Sequence, residues 1–268
     1  MMFDKTDSTI CTLGSCFALE IRKELESRGF NTCPKGESNR QLVWYNTYSI
    51  AYEFKRAFDG LKTNYADCWR LSDGRWQEPS RRLVFAKDMP SLKRASEALD
   101  LEIINGIRSA NIYILTLGLS EVWEHKNSKR TLCAHPKYGL RNVTSNGLQN
   151  VTFNNSTRAD NLRNLTLICK LIQRHNPDAS IIFTVSPVPL NKTFTEKPLA
   201  EANAISKGKL QWAAKKVVSK FSNASYFDSF EYCMSIPSKK RYREDKRHVR
   251  PEVVAGVISR FEDQFLKN

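Results

Sequence analysis

Thr9-Ile10-Cys11-Thr12-Leu13-Gly14-Ser15-Cys16-Phe17-Ala18 is the stretch on which the reading of the fold turns. Residues 9–13 are apolar or β-branched with no polar alternation, as expected of a strand covered on both faces. They run straight into Gly14-Ser15-Cys16, and helical spacing begins at Phe17 and holds to about residue 28. A strand, a tight glycine turn and a helix in succession expose a side chain at a sheet edge and aim backbone N–H groups at an anion.

Three further runs share the character of the first, residues 111–117, 180–185 and 224–227. Between and after them lie segments of helical periodicity, roughly 91–109, 158–175, 200–221 and 251–266. Strand alternating with helix implies βαβ units joined by right-handed crossovers. The expected fold is therefore α/β, a three-layer α/β/α arrangement doubly wound around a mainly parallel sheet. Ser91 and Asp160 are expected N-caps, Pro177 follows the helix ending near His175, and Pro251 opens the last helix. Residues 33–90, with Trp44, Trp69, Trp76 and Gly74, are expected to form an irregular insertion or lobe beside the first helix. Residues 124–157 are expected to be loop, given His135-Pro136, Ser145-Asn146-Gly147 and Asn154-Asn155.

A chain of 268 residues can bury about 70–75% of its unfolded surface, so it needs no disulfide or metal staple, and one large domain is the default. No apolar window is long enough to span a bilayer, and the first ten residues, with Asp4 and Asp7, lack the layout of a secretory signal. Seven cysteines at wide spacings, with no C-x-x-C pair, suit free thiols in a reducing compartment. A soluble, cytoplasmic protein is expected. The 42 basic against 28 acidic residues give a net charge of +14, which predicts salt-sensitive attraction to anionic partners.

Ligands of open α/β sheets bind at the carboxyl ends of the strands, so the residues just past each strand carry the functional expectation. The first strand ends in Gly14-Ser15-Cys16, the second in Gly118-Leu119-Ser120-Glu121, and the third in Ser186-Pro187-Val188-Pro189. Far along the chain, Asp245-Lys246-Arg247-His248 sets a carboxylate three residues before an imidazole. At that spacing the carboxylate can hold one ring nitrogen and leave the other to take a proton from a nucleophile.

The string Gly14-Ser15-Cys16-Phe17-Ala18 resembles the motif after which the GSCFA family is named. The resemblance continues in order through residues 44–50 (WYNTYSI), 116–123 (TLGLSEVW), 184–190 (TVSPVPL), Ser206-Lys207, Tyr226-Phe227 with Ser229-Phe230-Glu231, and Asp245-x-x-His248. It covers essentially the whole chain. GSCFA proteins resemble in turn the SGNH/GDSL esterases and acyltransferases, whose first block is Gly-Asp-Ser and whose last is Asp-x-x-His. That likeness implies an esterase or O-acyltransferase acting on a carbohydrate or other acyl-bearing small molecule, without a cofactor. It implies Cys16 as nucleophile, or Ser15 in its place, with His248 and Asp245. The wider group's oxyanion asparagine is absent, replaced by Gly118-x-Ser120-Glu121, which leaves Asn46 or Ser120 as substitutes. Asp228 stands where a proline is expected.

Each of these residues also has a plainer reading. Cys16 suits a small core residue, and Ser15 suits a helix cap or anion contact better than a nucleophile. Glu121 is either an acid behind the site or a polar anchor. Trp44, beside Asn46, is the tryptophan placed to stack on a ligand. His125, His135 and His175 read as structural or exposed, and their spacing supports no metal site. Seven cations fall within residues 239–250, either a solvated face or a receptor for an anionic substrate. Two other function classes fit the charge: a non-catalytic binder of acidic glycan, and a nucleic-acid-binding protein, for which no helix-turn-helix, finger or RRM signature is present.

Overall fold

The computed structural model describes residues 2–35, 42–81, 84–133 and 150–267. Its centre is a five-stranded sheet built from β1 (Thr9–Gly14), β2 (Asn31–Cys33), β6 (Ile112–Leu117), β9 (Ser180–Val185) and β10 (Ala224–Tyr226), in the order β2-β1-β6-β9-β10. Every neighbouring pair is parallel. Counted in chain order the strands run 2-1-3-4-5, so the winding reverses between β1 and β6. In sheets of this kind such a reversal, at the carboxyl ends of the two strands, is where ligands bind.

Side chains alternate faces along each strand, and the burial follows that period. Ile10, Ile112, Ile114 and Ile182 pack against α1 (Cys16–Ser27) and α8 (Pro251–Phe265) on one face. Leu13, Tyr113, Leu115 and Phe183 pack on the other, under α2 (Thr47–Asp59), α3 (Met89–Ser109), α4 (Arg158–His175) and α5 (Leu199–Val218). The three-layer α/β/α fold expected from the sequence is the one observed. Two short helices, α6 (Ser229–Ser235) and α7 (Ser238–Arg241), lead into α8.

Residues 33–90, expected as an irregular insertion or lobe beside the first helix, hold regular elements among their described residues. Cys33 closes β2, α2 is a full helix in the outer layer, and β3 (Trp69–Arg70), β4 (Trp76–Gln77) and β5 (Phe85–Ala86) form an antiparallel sheet. Helix α2 buries Ile50, Ala51, Phe54 and Ala57 in the core, is capped by Asn46 and ends at Gly60 in the left-handed region. The stretch expected to be loop between 124 and 157 contains a hairpin, β7 (Glu121–His125) against β8 (Val151–Asn155), which takes in Asn154 and Asn155. His135-Pro136 and Ser145-Asn146-Gly147 lie outside the described residues. The expected caps are displaced by one turn. Asp88 caps α3 by accepting from Ser91 N at 2.8 Å, and Thr157 forms a reciprocal capping box with Asp160, so Ser91 and Asp160 sit in the first turns.

The decisive joint is Gly14. Its φ is +144°, and a Cβ there would lie 2.1 Å from the carbonyl oxygen of Thr116, its partner on β6. Only glycine fits so close an approach. Gly14→Ala is therefore expected to lower stability by at least about 3 kcal/mol, clash and strain acting together. Chemical denaturation of the variant beside the parent chain checks this, and a change below about 1 kcal/mol would contradict the tight joint.

Candidate active site

At the reversal point the chain turns in two residues. Ser15 N–H donates to Thr116 O at 3.0 Å, Trp44 N–H donates to Gly14 O at 2.7 Å, and Ser15 Oγ caps α1 by accepting from Phe17 N. Ser15 is buried, and its hydroxyl oxygen serves the helix. Cys16 is the first residue of α1 and the partly exposed one among the seven cysteines, the others being buried. A helix N-terminus by itself favours a thiolate. The structure reverses that balance: burial pushes the thiol up, and Arg247, Lys207 and the residue's own N–H pull it only part of the way back, with Glu20 adding to the rise.

The imidazole arrives on a turn between α7 and α8. Arg243 N–H donates to His248 O at 2.8 Å, and Lys246 sits at φ +57°. Asp245 Oδ1 accepts from the N–H groups of Arg247 and His248, each at 2.9 Å, while Oδ2 meets His248 Nδ1. The three-residue spacing thus lets one carboxylate cap the turn and orient the ring, which leaves Nε2 outward. The bond to His248 Nδ1 first, then those to the two N–H groups, holds the Asp245 carboxyl well below the usual carboxylate range.

The turn is docked on α1, the helix that opens with Cys16. Arg243 Nη2 meets Glu20 Oε2 at 2.6 Å, one turn beyond Cys16, and Tyr242 Oη donates to Pro187 O at 2.9 Å, on the loop after β9. Cys16, Tyr242 and Val249 pack into the same apolar cluster. The two ends of the chain therefore meet on one face of the sheet. Of the basic run, Arg241, Arg243 and Arg250 donate to backbone carbonyls and hold this turn together. Arg247 differs: its Nε is buried with no acceptor among the described residues, and its charge acts on Cys16.

The remaining residues expected at the site frame it. Asn46 accepts from Ser49 N at 2.9 Å and donates to Glu121 O at 3.3 Å, which is the work of a cap. Trp44 is buried and donates to Glu53, with no face open for stacking. Ser120 donates to Asn155 Oδ1, while its N–H donates to Ser206 Oγ at 2.8 Å. Glu121 accepts from Thr193 Oγ1 and Phe194 N, so it anchors the loop after β9. Ser186 accepts from Val188 N, starting that loop. Gly118 packs directly on the first turn, since a Cβ there would lie 3.1 Å from Ser15 Cβ and 2.7 Å from Tyr45 O. His125 faces Asp67 at 3.5 Å and His175 stacks on Phe58 at 4.6 Å between ring centres, both as structural groups.

Two groups that the sequence reading did not assign also belong here. Lys207 on α5 is buried and donates to Gly118 O at 2.6 Å. Burial lowers its pKa to about 7, and Cys16 pulls it the other way. Thr116 lies in register with Gly14 and Thr184, and its buried hydroxyl has no partner among the described residues. Ser206-Lys207 stood among the family's blocks, but no rule of spacing ties it to a turn nearly two hundred residues away.

Against this geometry the comparison with protein families is direct: the model of the GSCFA family matches residues 9–261. The chain belongs to the GSCFA family. The name-giving residues are the turn and first helical residues described above, so the GSCFA signature and the switch point of the sheet are the same place. No curated protein matches the chain. Among solved structures it is similar to a carbohydrate esterase family 2 enzyme with a carbohydrate binding domain from Corynascus thermopiles (Myceliophthora fergusii). Identity is 17% and the TM-score 0.33, over 58% of this chain and 36% of that one. Among the described residues no helix is long and apolar enough to cross a membrane.

The depressed pKa of Lys207 fixes a pH dependence. Between about pH 7 and the ordinary lysine range the unfolded chain holds a proton that the folded chain lacks, so stability rises with pH there and the full cost of the buried ammonium is present below pH 7. Lys207→Met is expected to gain a few kcal/mol relative to the parent at pH 6 compared with pH 10. Denaturation curves at both pH values test the sign, and a gain equal at the two would refute it.

Proposed function

We propose that this GSCFA protein is an acyl-transferring enzyme in which Cys16 carries the acyl group as a thioester. What supports the reading is a partly exposed thiol at a helix N-terminus at the switch point of a parallel sheet, together with a turn docked on that same helix through Arg243 and Glu20 that carries an imidazole whose Nδ1 is held by a carboxylate. The sulfur attacks the carbonyl carbon of an ester or thioester, the bond from that carbon to the leaving oxygen or sulfur breaks, and the thiol's proton ends on the departing alcohol or thiol. The developing oxyanion is met by the N–H of Cys16, which in the resting site acts on its own sulfur, and by the Arg247 cation. Asn46 and Ser120 take no part in that step, because their groups are engaged in the frame.

In the second half of the cycle His248 Nε2 takes a proton from the acceptor hydroxyl. The acceptor oxygen bonds to the acyl carbon, the C–S bond breaks, and the proton passes to the sulfur. His248 is suited to this by exposure: its side chain is 40% exposed at the rim, where an acceptor enters. Water as acceptor gives an esterase, and a sugar hydroxyl gives an O-acyltransferase. The SGNH/GDSL likeness of the sequence favours a carbohydrate. The orphaned Nε of Arg247 favours a substrate with an anionic group near the reacting carbonyl, such as an acidic sugar or a phosphorylated acyl donor.

Intact-mass measurement after incubation with p-nitrophenyl acetate tests the reading. The parent should carry an acetyl group on Cys16, Cys16→Ala should carry none, and His248→Asn should accumulate the adduct while turnover falls by about 10²–10⁴. Unchanged turnover in Cys16→Ala, or acetylation of Ser15 instead, would remove Cys16 from the chemistry.

A further inference from the structure

Lys207 has no assigned task, and its surroundings are unusual for a lysine. It projects from α5 to the carboxyl end of β6, is 3% exposed, and among the described residues makes one hydrogen bond, to the Gly118 carbonyl, out of three its ammonium could donate. Among the described residues it forms no ion pair. A buried lysine without a carboxylate is costly. Cys16 is the thiol at that same turn: Gly118, whose carbonyl accepts from Nζ, presses on Ser15, the residue just before it, and Cys16 and Lys207 act on each other's charge.

We infer that Lys207 is the proton acceptor for Cys16. This rests on the acyl-transfer reading above and divides its proton transfers between two bases. In the acylation half the Sγ–H bond breaks as sulfur attacks, and the proton joins the lone pair of Lys207 Nζ. When the bond from the acyl carbon to the leaving oxygen or sulfur breaks, the ammonium returns that proton to the leaving group, and the amine is restored. His248 serves the acceptor in the other half. Burial disfavours charge on both partners, raising the thiol and bringing the amine to about 7, so a neutral thiol beside a neutral amine is the resting pair in mildly alkaline solution. An amine poised there has the proton affinity that general-base work at physiological pH requires.

The other charged groups around the pair come from every neighbouring element. Glu20 on α1 is tied to Arg243, and Glu121 on β7 to the loop at Thr193. Lys209, on α5, donates to Asn155, and Asp245 holds His248 on the docked turn. Arg247 is the remaining cation that acts on Cys16. As an arginine it stays protonated and cannot accept the proton.

The test reads the thiol without any acyl donor, so it stands apart from whether Cys16 is ever acylated. Carbamidomethylation of Cys16 by iodoacetamide, followed by peptide mass spectrometry from pH 5.5 to 9.5, should inflect near pH 7 and then flatten in the parent, as expected if the amine shares the thiol's proton. In Lys207→Met the inflection should vanish, and the rate at pH 7.5 should fall at least about tenfold, the equivalent of one pKa unit. Lys207→Gln, which keeps a donor for the Gly118 carbonyl, should lose the inflection equally, separating proton acceptance from the hydrogen bond. His248→Asn should keep it. A profile that retains the inflection in both Lys207 variants, or loses it in His248→Asn, overturns the proposal.

Discussion

The contact on which the rest of the structure depends is between the backbones of Gly14 and Thr116. No side chain fits between them, so the last residue of β1 and the next strand of the sheet close to a distance that a Cβ would violate. The closeness sets everything downstream: Ser15 N–H reaches Thr116 O, the Gly14 carbonyl turns outward to receive Trp44 N–H, and α1 departs with Cys16 as its first residue. A second close approach, Gly118 against Ser15 and Tyr45, repeats the constraint on the neighbouring strand. With both strand ends pressed together and no side chain between them, the side chains that reach this place from elsewhere are decisive.

Those side chains are delivered by segments that need their own anchoring. The chain before α2 is held by a buried charge network rather than by apolar packing alone. Trp44 donates to Glu53, Glu53 pairs with Arg81 at 2.9 Å, and Asp100 on α3 pairs with both Arg81 and Arg56. Burial by itself would raise the Glu53 carboxyl, yet Arg81 and Arg56 outweigh it and keep it below its usual range. Removing one partner of such a network strands a charge, so the network fixes geometry more than it adds stability. Tyr45 and Asn46 follow directly on Trp44, and the Tyr45 carbonyl accepts from Gly118 and Leu119.

How much of this the sequence discloses follows from the range of each interaction. The strands and most helices were legible, because continuous apolar runs and 3.6-residue periods are local. Helix α2 was missed although residues 50, 51, 54 and 57 repeat at helical spacing; the tryptophans and glycine around it read as irregular structure and masked the period. The caps were misplaced by a turn because Asp88 and Ser91, or Thr157 and Asp160, are both cap-forming types, and only geometry says which is the acceptor at the boundary. The Asp245-x-x-His248 pair was readable because both members lie in one turn. Asn46, Ser120 and Glu121 sit in the expected region, but which of their hydrogen bonds are committed to the frame depends on partners far away in sequence, at Ser49, Asn155, Ser206 and Thr193. Lys207 escaped for the same reason.

One physical effect connects the candidate nucleophile with that lysine. Desolvation penalises whichever form is charged, so it drives a thiol and an amine in opposite directions on the pH scale and makes both neutral over a common range. In an exposed site the same two residues would rest as two charged or half-charged groups, each solvated separately. Enclosed together, they favour a state in which moving one proton creates an ion pair whose members attract each other, with Arg247 favouring the thiolate. The raised thiol pKa at Cys16 is then no argument against reactivity. Under the proposed proton transfer it is the mark of a sulfur kept protonated, and so protected, until a base and an electrophile act at the same time.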